Sequence, residues 1–268
     1  MIFAIPLSDD NPTVRAPIVT YFIVGLCVGA FLWQLGHSER VVLYAYGMIP
    51  AELFGLWHPP RVYQGLAPWA KILTSMFLHG GWFHLLGNML YLWIFGNNVE
   101  EVLGRGRYLT LYLACGIVAA LAQAFSSPAS HIPMVGASGA IAGVLGAYLL
   151  LHPGANVRCF VWIVIFFRIV NVPAWMMLGL WFAMQLVSGL TVSPGRPGVA
   201  FWAHVAGFVT GLVLVTILRP SGVPVLQPPR SQAFAVARPG SFTGYRGPRR
   251  GSVPQAGHRF TRSRSPWE

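Results

Sequence analysis

Between Val102 and Trp267 the chain has no aspartate and no glutamate. Charge of both signs is scarce: Asp, Glu, Lys and Arg make up 9% of the residues, against roughly a quarter in a soluble domain. The deficit excludes an ordinary soluble fold and points to a membrane protein. Cysteine is scarce too. Cys27, Cys115 and Cys159 lie scattered in apolar stretches, which excludes a disulfide framework and any metal-ligand spacing, and they read as small core residues.

What is present instead is long uncharged sequence. Ala16 to Ser38, Ile72 to Val99, Tyr108 to Val157, Ile169 to Gly195 and Pro197 to Leu218 carry no charge. A helix needs about 20 apolar residues to cross a bilayer, and the third run is long enough for two. Six spans are expected, near 17–35, 82–99, 108–126, 134–151, 173–190 and 199–218. The fold class is therefore all-α, a polytopic six-helix membrane bundle over 17–218, preceded by a cytoplasmic segment 1–16. Pro6, Asp9, Asp10 and Pro12 argue against a cleavable signal peptide.

The tail 219–268 has another composition. It is rich in Pro, Gly, Ser and Arg, holds nine of the seventeen arginines and only one acid, and is expected to be disordered. Beside a terminal span, its partner is expected to be anionic lipid headgroups, not nucleic acid. Cytoplasmic loops collect Lys and Arg. With the N-terminus inside, fourteen basic residues fall inside and four outside, so both termini are expected in the cytoplasm. "CFVWIVIFFRIV" (159–170) has only nine apolar residues before Arg168, too few to cross, and is expected as an interfacial or shallowly dipping piece.

In this topology spans two, four and six all run from outside to inside. Asn88, Ser138 and His204 lie six, four and five residues into them. At about 1.5 Å per residue they sit roughly 6–9 Å below the outer boundary. Taken singly, each has an ordinary explanation: a serine bonded back to its own helix, a packed histidine, an interhelical asparagine. Three polar residues at one depth on three helices make a functional-site hypothesis, because polar groups in lipid are costly.

The missing acids narrow the chemistry. No carboxylate lies between Ser138 and His204, so the order serine, acid, histidine is impossible there. No span holds an aspartate, which excludes a paired-aspartate site. "HLLGN" (84–88) is not H-E-x-x-H, and a metal set of His79, His84 and His204 would lack its general base; no cofactor and no metal are expected. A serine activated by histidine alone survives. Gly139, Gly143 and Gly146 in span four, and Ala203, Gly207 and Gly211 in span six, would let those two helices approach closely. Ser138 also sits near a helix N-terminus, and His84 and Asn88 share a helix face, where both could donate to an oxyanion.

"HGGWFHLLGNMLYLWIFGNNVE" (79–100), "GASGAIAG" (136–143) and "AHVAGFVTG" (203–211) together resemble the rhomboid intramembrane serine proteases, over roughly residues 1–218. The resemblance implies Ser138 as nucleophile and His204 as general base. It implies an oxyanion site of Asn88, His84 and the Ser138 N–H, with Gly136 shaping the nucleophile turn. It further implies single-span membrane proteins as substrates, a multi-pass protein of the bacterial inner membrane, and a first loop (36–81) partly embedded in the outer leaflet. Trp57, Tyr63 and Trp69 suit that loop, although the tryptophan–arginine pair of some members is absent. Trp181 and Phe182 would mark a lateral gate in the fifth span. The rival readings are a catalytically silent relative that binds membrane clients as chaperone or adaptor, and a small transporter or channel. The latter would favour charged residues within its spans.

Overall fold

The computed structural model describes residues 2–163, 165–192 and 198–229. The compact unit Met1–Ala233 carries the fold, and Phe234–Glu268 lies outside the described residues. The long helices are α1 (Ile18–Leu35), α5 (Trp82–Leu103), α6 (Arg105–Ser126), α7 (Ser138–Leu151), α8 (Ala174–Thr191) and α9 (Phe201–Leu218). Three short helices, α2 (Glu39–Tyr46), α3 (Pro50–Leu53) and α4 (Pro68–Thr74), fill the loop between α1 and α5. Among the described residues α1, α6, α8 and α9 are long and apolar enough to cross a membrane, and α7 is a shorter apolar helix. The protein is thus a mostly helical, polytopic membrane protein.

Small residues set the centre of the bundle. A methyl added to Gly207 would run into the Gly139 carbonyl, one on Gly211 into the Gly143 carbonyl, and one on Gly146 into the Phe208 carbonyl. α7 and α9 therefore touch backbone to backbone, as the four-residue spacing of small side chains predicts. Gly143 also seats the Cys115 thiol, and Gly139 the Ala119 methyl, both from α6. All three cysteines are buried and unpaired.

The all-α expectation needs correction. Three antiparallel strands, β1 (Ile2–Asp9), β2 (Asn156–Ile163) and β3 (Phe166–Pro173), form a sheet in the order β1-β2-β3. The segment 159–170, expected as an interfacial piece, is thus most of a hairpin, with Cys159 opposite Val170 and Val161 opposite Arg168. Its apolar run is too short to cross lipid but rich in the β-branched and aromatic residues that suit strands. Segment 1–16 supplies the partner. β1 is an edge strand, which accommodates Pro6, and the register shifts between Pro6 and Ser8.

This sheet is tied to the bundle by polar side chains. Asp9 Oδ2 accepts from Tyr148 Oη and Asn98 Nδ2, both at 2.7 Å, and Asn11 Nδ2 donates to Asn98 Oδ1 at 2.7 Å. Desolvation on burial, partly offset by the Tyr148 hydrogen bond, pushes the Asp9 carboxyl up to about 6. Nearby, Glu100 accepts from the Val19 and Thr20 N–H groups and from Thr20 Oγ1, which satisfies the first turn of α1.

The expected tail 219–268 divides at its start. Residues 219–229 are described, and the Leu226 and Gln227 N–H groups donate to the Leu150 and Leu151 carbonyls at 2.8 and 2.9 Å. Those carbonyls end α7 and have no acceptor role left within the helix, so the chain beyond α9 caps it. Residues 230–268 lie outside the described residues.

Candidate active site

Ser138 is the first residue of α7, and the turn before it explains why. Gly136 has φ +126°, a conformation that favours glycine, so the helix begins at Ser138 and not at the expected 134. A Cβ on Gly136 would also lie 2.7 Å from Cε1 and Nε2 of His84. Two backbone links fix the turn from outside: Gly136 N–H donates to Ser75 O at 2.8 Å, and Met134 pairs with Met48 in an isolated bridge.

Those anchors belong to the loop between α1 and α5, which has its own brace. Lys71 Nζ, wholly buried, donates to both Glu52 carboxylate oxygens at 2.9 and 2.7 Å and to Tyr44 O at 2.8 Å. This ion pair joins α3 to α4 in a loop that lacks the tryptophan–arginine pair. Removing one partner of a buried pair typically costs about 3–5 kcal/mol, because the other charge is left buried and uncompensated. Lys71 is linked to the Gly136 turn through Ser75, whose N–H donates to the Lys71 carbonyl at 3.0 Å.

His204 stands in the first turn of α9, where α7 and α9 are in backbone contact. Its Nε2 is 2.8 Å from Ser138 Oγ, and its Nδ1 is 2.8 Å from Gln185 Oε1 on α8. Trp181 lies beside the ring with centroids 5.7 Å apart, and Phe182 stacks on Phe208 at 4.7 Å. If Nε2 accepts the serine proton, Nδ1 must carry the ring's own proton and donate it to Gln185.

On α5, His84 and Asn88 are one turn apart. Gly80 N–H donates to His84 Nδ1 at 3.3 Å, leaving Nε2–H as the donor on the edge that faces Gly136. Asn88 is buried, and its Nδ2 has no hydrogen-bond partner among the described residues. No side chain caps the N-terminus of α7, so its first N–H groups stay open beside Ser138. The structure therefore brings Ser138, His204, His84 and Gly136 together, and places Asn88 one turn along α5 from His84. Such a cluster can transfer a proton from a hydroxyl and donate several hydrogen bonds to a negative oxygen.

His79 does not join Ser138. Its ring meets that of His84 edge to face, with centroids 5.2 Å apart, and its Nδ1 donates to Phe77 O. Burial, and then the charge of His84, push the His79 imidazole down to about 4, so it stays neutral near pH 7. Among the described residues, no three His, Cys, Asp or Glu side chains gather as metal ligands would.

Sequence reasoning passed over three glutamines that frame this cluster. Gln34 on α1 exchanges two hydrogen bonds with the backbone of His79, Gln123 on α6 accepts from Ala203 N–H, and Gln185 meets His204. The signal was there. A glutamine inside an apolar span carries the same desolvation cost that singled out Asn88 and Ser138.

Comparison with known proteins bears on the family of the chain. The family model described as "Rhomboid domain" matches residues 66–221, a stretch that holds every residue of the cluster. The rhomboid protease GluP of Bacillus subtilis (strain 168) is 38% identical over 136 residues, half of this chain and 24% of that protein. Rhomboid protein 1, mitochondrial, of Saccharomyces cerevisiae is 32% identical over 149 residues, half of this chain and 43% of that protein. RHOMBOID-like protein 4 of Arabidopsis thaliana is 35% identical over 201 residues, 73% of this chain and 46% of that protein. The chain thus spans less than half the length of each of these three relatives. With more than half of its residues matching the domain, this chain belongs to the rhomboid family.

Proposed function

We propose that the protein is an intramembrane serine endopeptidase that cleaves single-span membrane proteins within or near their transmembrane segment. The observation that carries this reading is the 2.8 Å approach of Ser138 Oγ to His204 Nε2. Ser138 Oγ attacks the scissile carbonyl while His204 Nε2 takes its proton. The C–N bond then breaks as His204 returns that proton to the leaving amine. Water, deprotonated by the same imidazole, hydrolyses the acyl-serine ester and frees the enzyme.

The negative oxygen formed at each attack is stabilised by Asn88 Nδ2, His84 Nε2–H and the Ser138 N–H, with Gly136 keeping the turn open. The support for Asn88 is its buried, unpartnered amide, since a donor left unpaired in a protein interior calls for an explanation. The support for His84 is its tautomer and its place against Gly136.

The six long helices act as six spans, both termini in the cytoplasm, in a bacterial inner membrane. The support here is the charge bias, fourteen basic residues against four. The basic composition of the tail 219–268 then favours anionic headgroups of the inner leaflet as its partner. The test is cleavage of a reporter transmembrane segment by reconstituted protein. Ser138→Ala and His204→Ala each abolish it while melting like the wild type; near wild-type cleavage by either variant overturns the mechanism. A wild type that binds the reporter without cutting it supports the chaperone or adaptor reading instead.

A further inference from the structure

We propose that Gln185 is a positioning residue for His204: its Oε1 accepts the Nδ1 proton and holds the imidazole in the tautomer and plane from which Nε2 faces Ser138. This rests on the serine–histidine reading above and adds a third member to it. A neutral imidazole has one N–H. Ser138 Oγ and Gln185 Oε1 lie 2.8 Å from opposite ring nitrogens, so the ring is held at both ends. An acceptor oxygen at Nδ1 leaves Nε2 as the lone pair, which is the state a general base requires.

Among the described residues no carboxylate stands in that place. Glu52 is bound to Lys71, while Asp9 and Glu100 are engaged at the far end of the bundle. A neutral amide does the orienting without placing a charge in an apolar surround, where an ion would be costly. It stabilises the imidazolium less than a carboxylate would, because charge-assisted hydrogen bonds are the stronger kind.

The setting of Gln185 argues that this contact is why it is there. Of α8, only Ala174 and Leu178 are buried, and Gln185 stands among Phe182, Ala183, Met184, Leu186 and Val187. A glutamine in such a helix is costly unless it finds a partner. Trp181, one turn earlier on the same face, meets the same imidazole. α8 thus presents two side chains to His204, one packing beside the ring and one setting its protonation.

Three measurements test this. The first compares Gln185→Met, a near-isostere without the acceptor, and Gln185→Glu, which keeps an oxygen at the same reach, with the wild type. Gln185→Met lowers kcat for reporter cleavage on the order of 10- to 100-fold with KM within about two-fold, as expected when a general base loses its orientation. Labelling by a small fluorophosphonate slows by the same factor, and Gln185→Glu recovers most of both rates. Wild-type kcat and labelling in Gln185→Met overturn the proposal, as does slower cleavage with unchanged labelling, which would mean a role in substrate entry. The second measurement needs no change at Gln185. In protein labelled with 15N-histidine, the His204 signals, identified by their loss in His204→Ala, show a protonated, hydrogen-bonded Nδ1; an Nε2–H tautomer overturns the proposal. The third separates the two readings. Wild-type labelling that vanishes in Ser138→Ala upholds the hydrolase whatever the Gln185 variants do, whereas labelling that persists there removes the hydrolase and this proposal together.

Discussion

The two ends of α7 lie about 20 Å apart and treat polar groups in opposite ways. At the Leu151 end, Tyr148 Oη is bound to Asp9, Asp9 to Asn98 and Asn98 to Asn11, and the last carbonyls of the helix are capped by Leu226 and Gln227. At the Ser138 end, no side chain caps the helix, and Asn88 Nδ2 is buried without a partner among the described residues. An unmade buried hydrogen bond typically costs about 1–3 kcal/mol. One end is arranged for stability. In the proposed mechanism the other gives up stability to keep donors free for a charge that exists only during reaction.

The largest expected contrast comes from two asparagines of the same helix. Asn88→Ala lowers kcat about 10²- to 10³-fold, the usual loss for one oxyanion donor, with little change in KM or in melting temperature. Asn98→Ala leaves Asp9 and Asn11 each short of a partner, so it lowers stability by about 1–3 kcal/mol and leaves kcat within roughly two-fold. Steady-state cleavage and thermal melts of both variants check the pair. Similar profiles for the two would dissolve the distinction between the ends.

Acid should act on the ends in opposite directions. The His79 imidazole titrates near 4 when folded, against an ordinary 6.5, so below pH 6.5 the unfolded chain binds more protons there. Its contribution is therefore complete above pH 6.5 and is lost as pH falls toward 4. Asp9 titrates near 6 when folded, against 3.8, so between those values the folded chain binds more protons. Its contribution grows as pH falls through 6 and is complete below 3.8. Melting temperatures between pH 7 and 4.5 should fall less steeply for His79→Gln than for the wild type, and more steeply for Asp9→Asn. Curves parallel to the wild type in both variants would mean that neither group carries the difference.

The smallest effect concerns the chain beyond α9. Ending the protein after Pro229 should leave its melting temperature in detergent unchanged. Ending it after Ser221 removes two hydrogen bonds to the end of α7 and should cost on the order of 1–2 kcal/mol, with cleavage intact. Equal stability of the two truncations would remove the cap from the account.

The distribution of polar residues also explains what could be read in advance. The long helices were announced by uncharged run lengths, though α5 and α6 run on through Glu100, Glu101, Arg105 and Arg107 and α7 starts later than expected. The closeness of α7 and α9 followed from Gly139, Gly143, Gly207 and Gly211, because lipid leaves few other reasons for such spacing. Ser138, His204, His84 and Asn88 stood out as polar residues in those runs. The sheet did not stand out. β1 finds its partner in β2, some 150 residues later, and no local pattern in Ile2–Asp9 announces that pairing. The buried Lys71–Glu52 pair was equally silent, since each residue alone suits an exposed loop. Gln185 was missed for a different reason. The lack of carboxylates between Ser138 and His204 was read as a histidine acting alone, whereas an uncharged amide stands where an acid would otherwise be sought.

The central claim is that Ser138 is nucleophilic because His204 takes its proton, and peptide mapping of the fluorophosphonate adduct by mass spectrometry tests it most directly. The account predicts that the wild type carries the adduct on the peptide containing Ser138 and that His204→Ala carries none. An adduct on another residue, or one formed at Ser138 as fast without the imidazole as with it, would contradict the account.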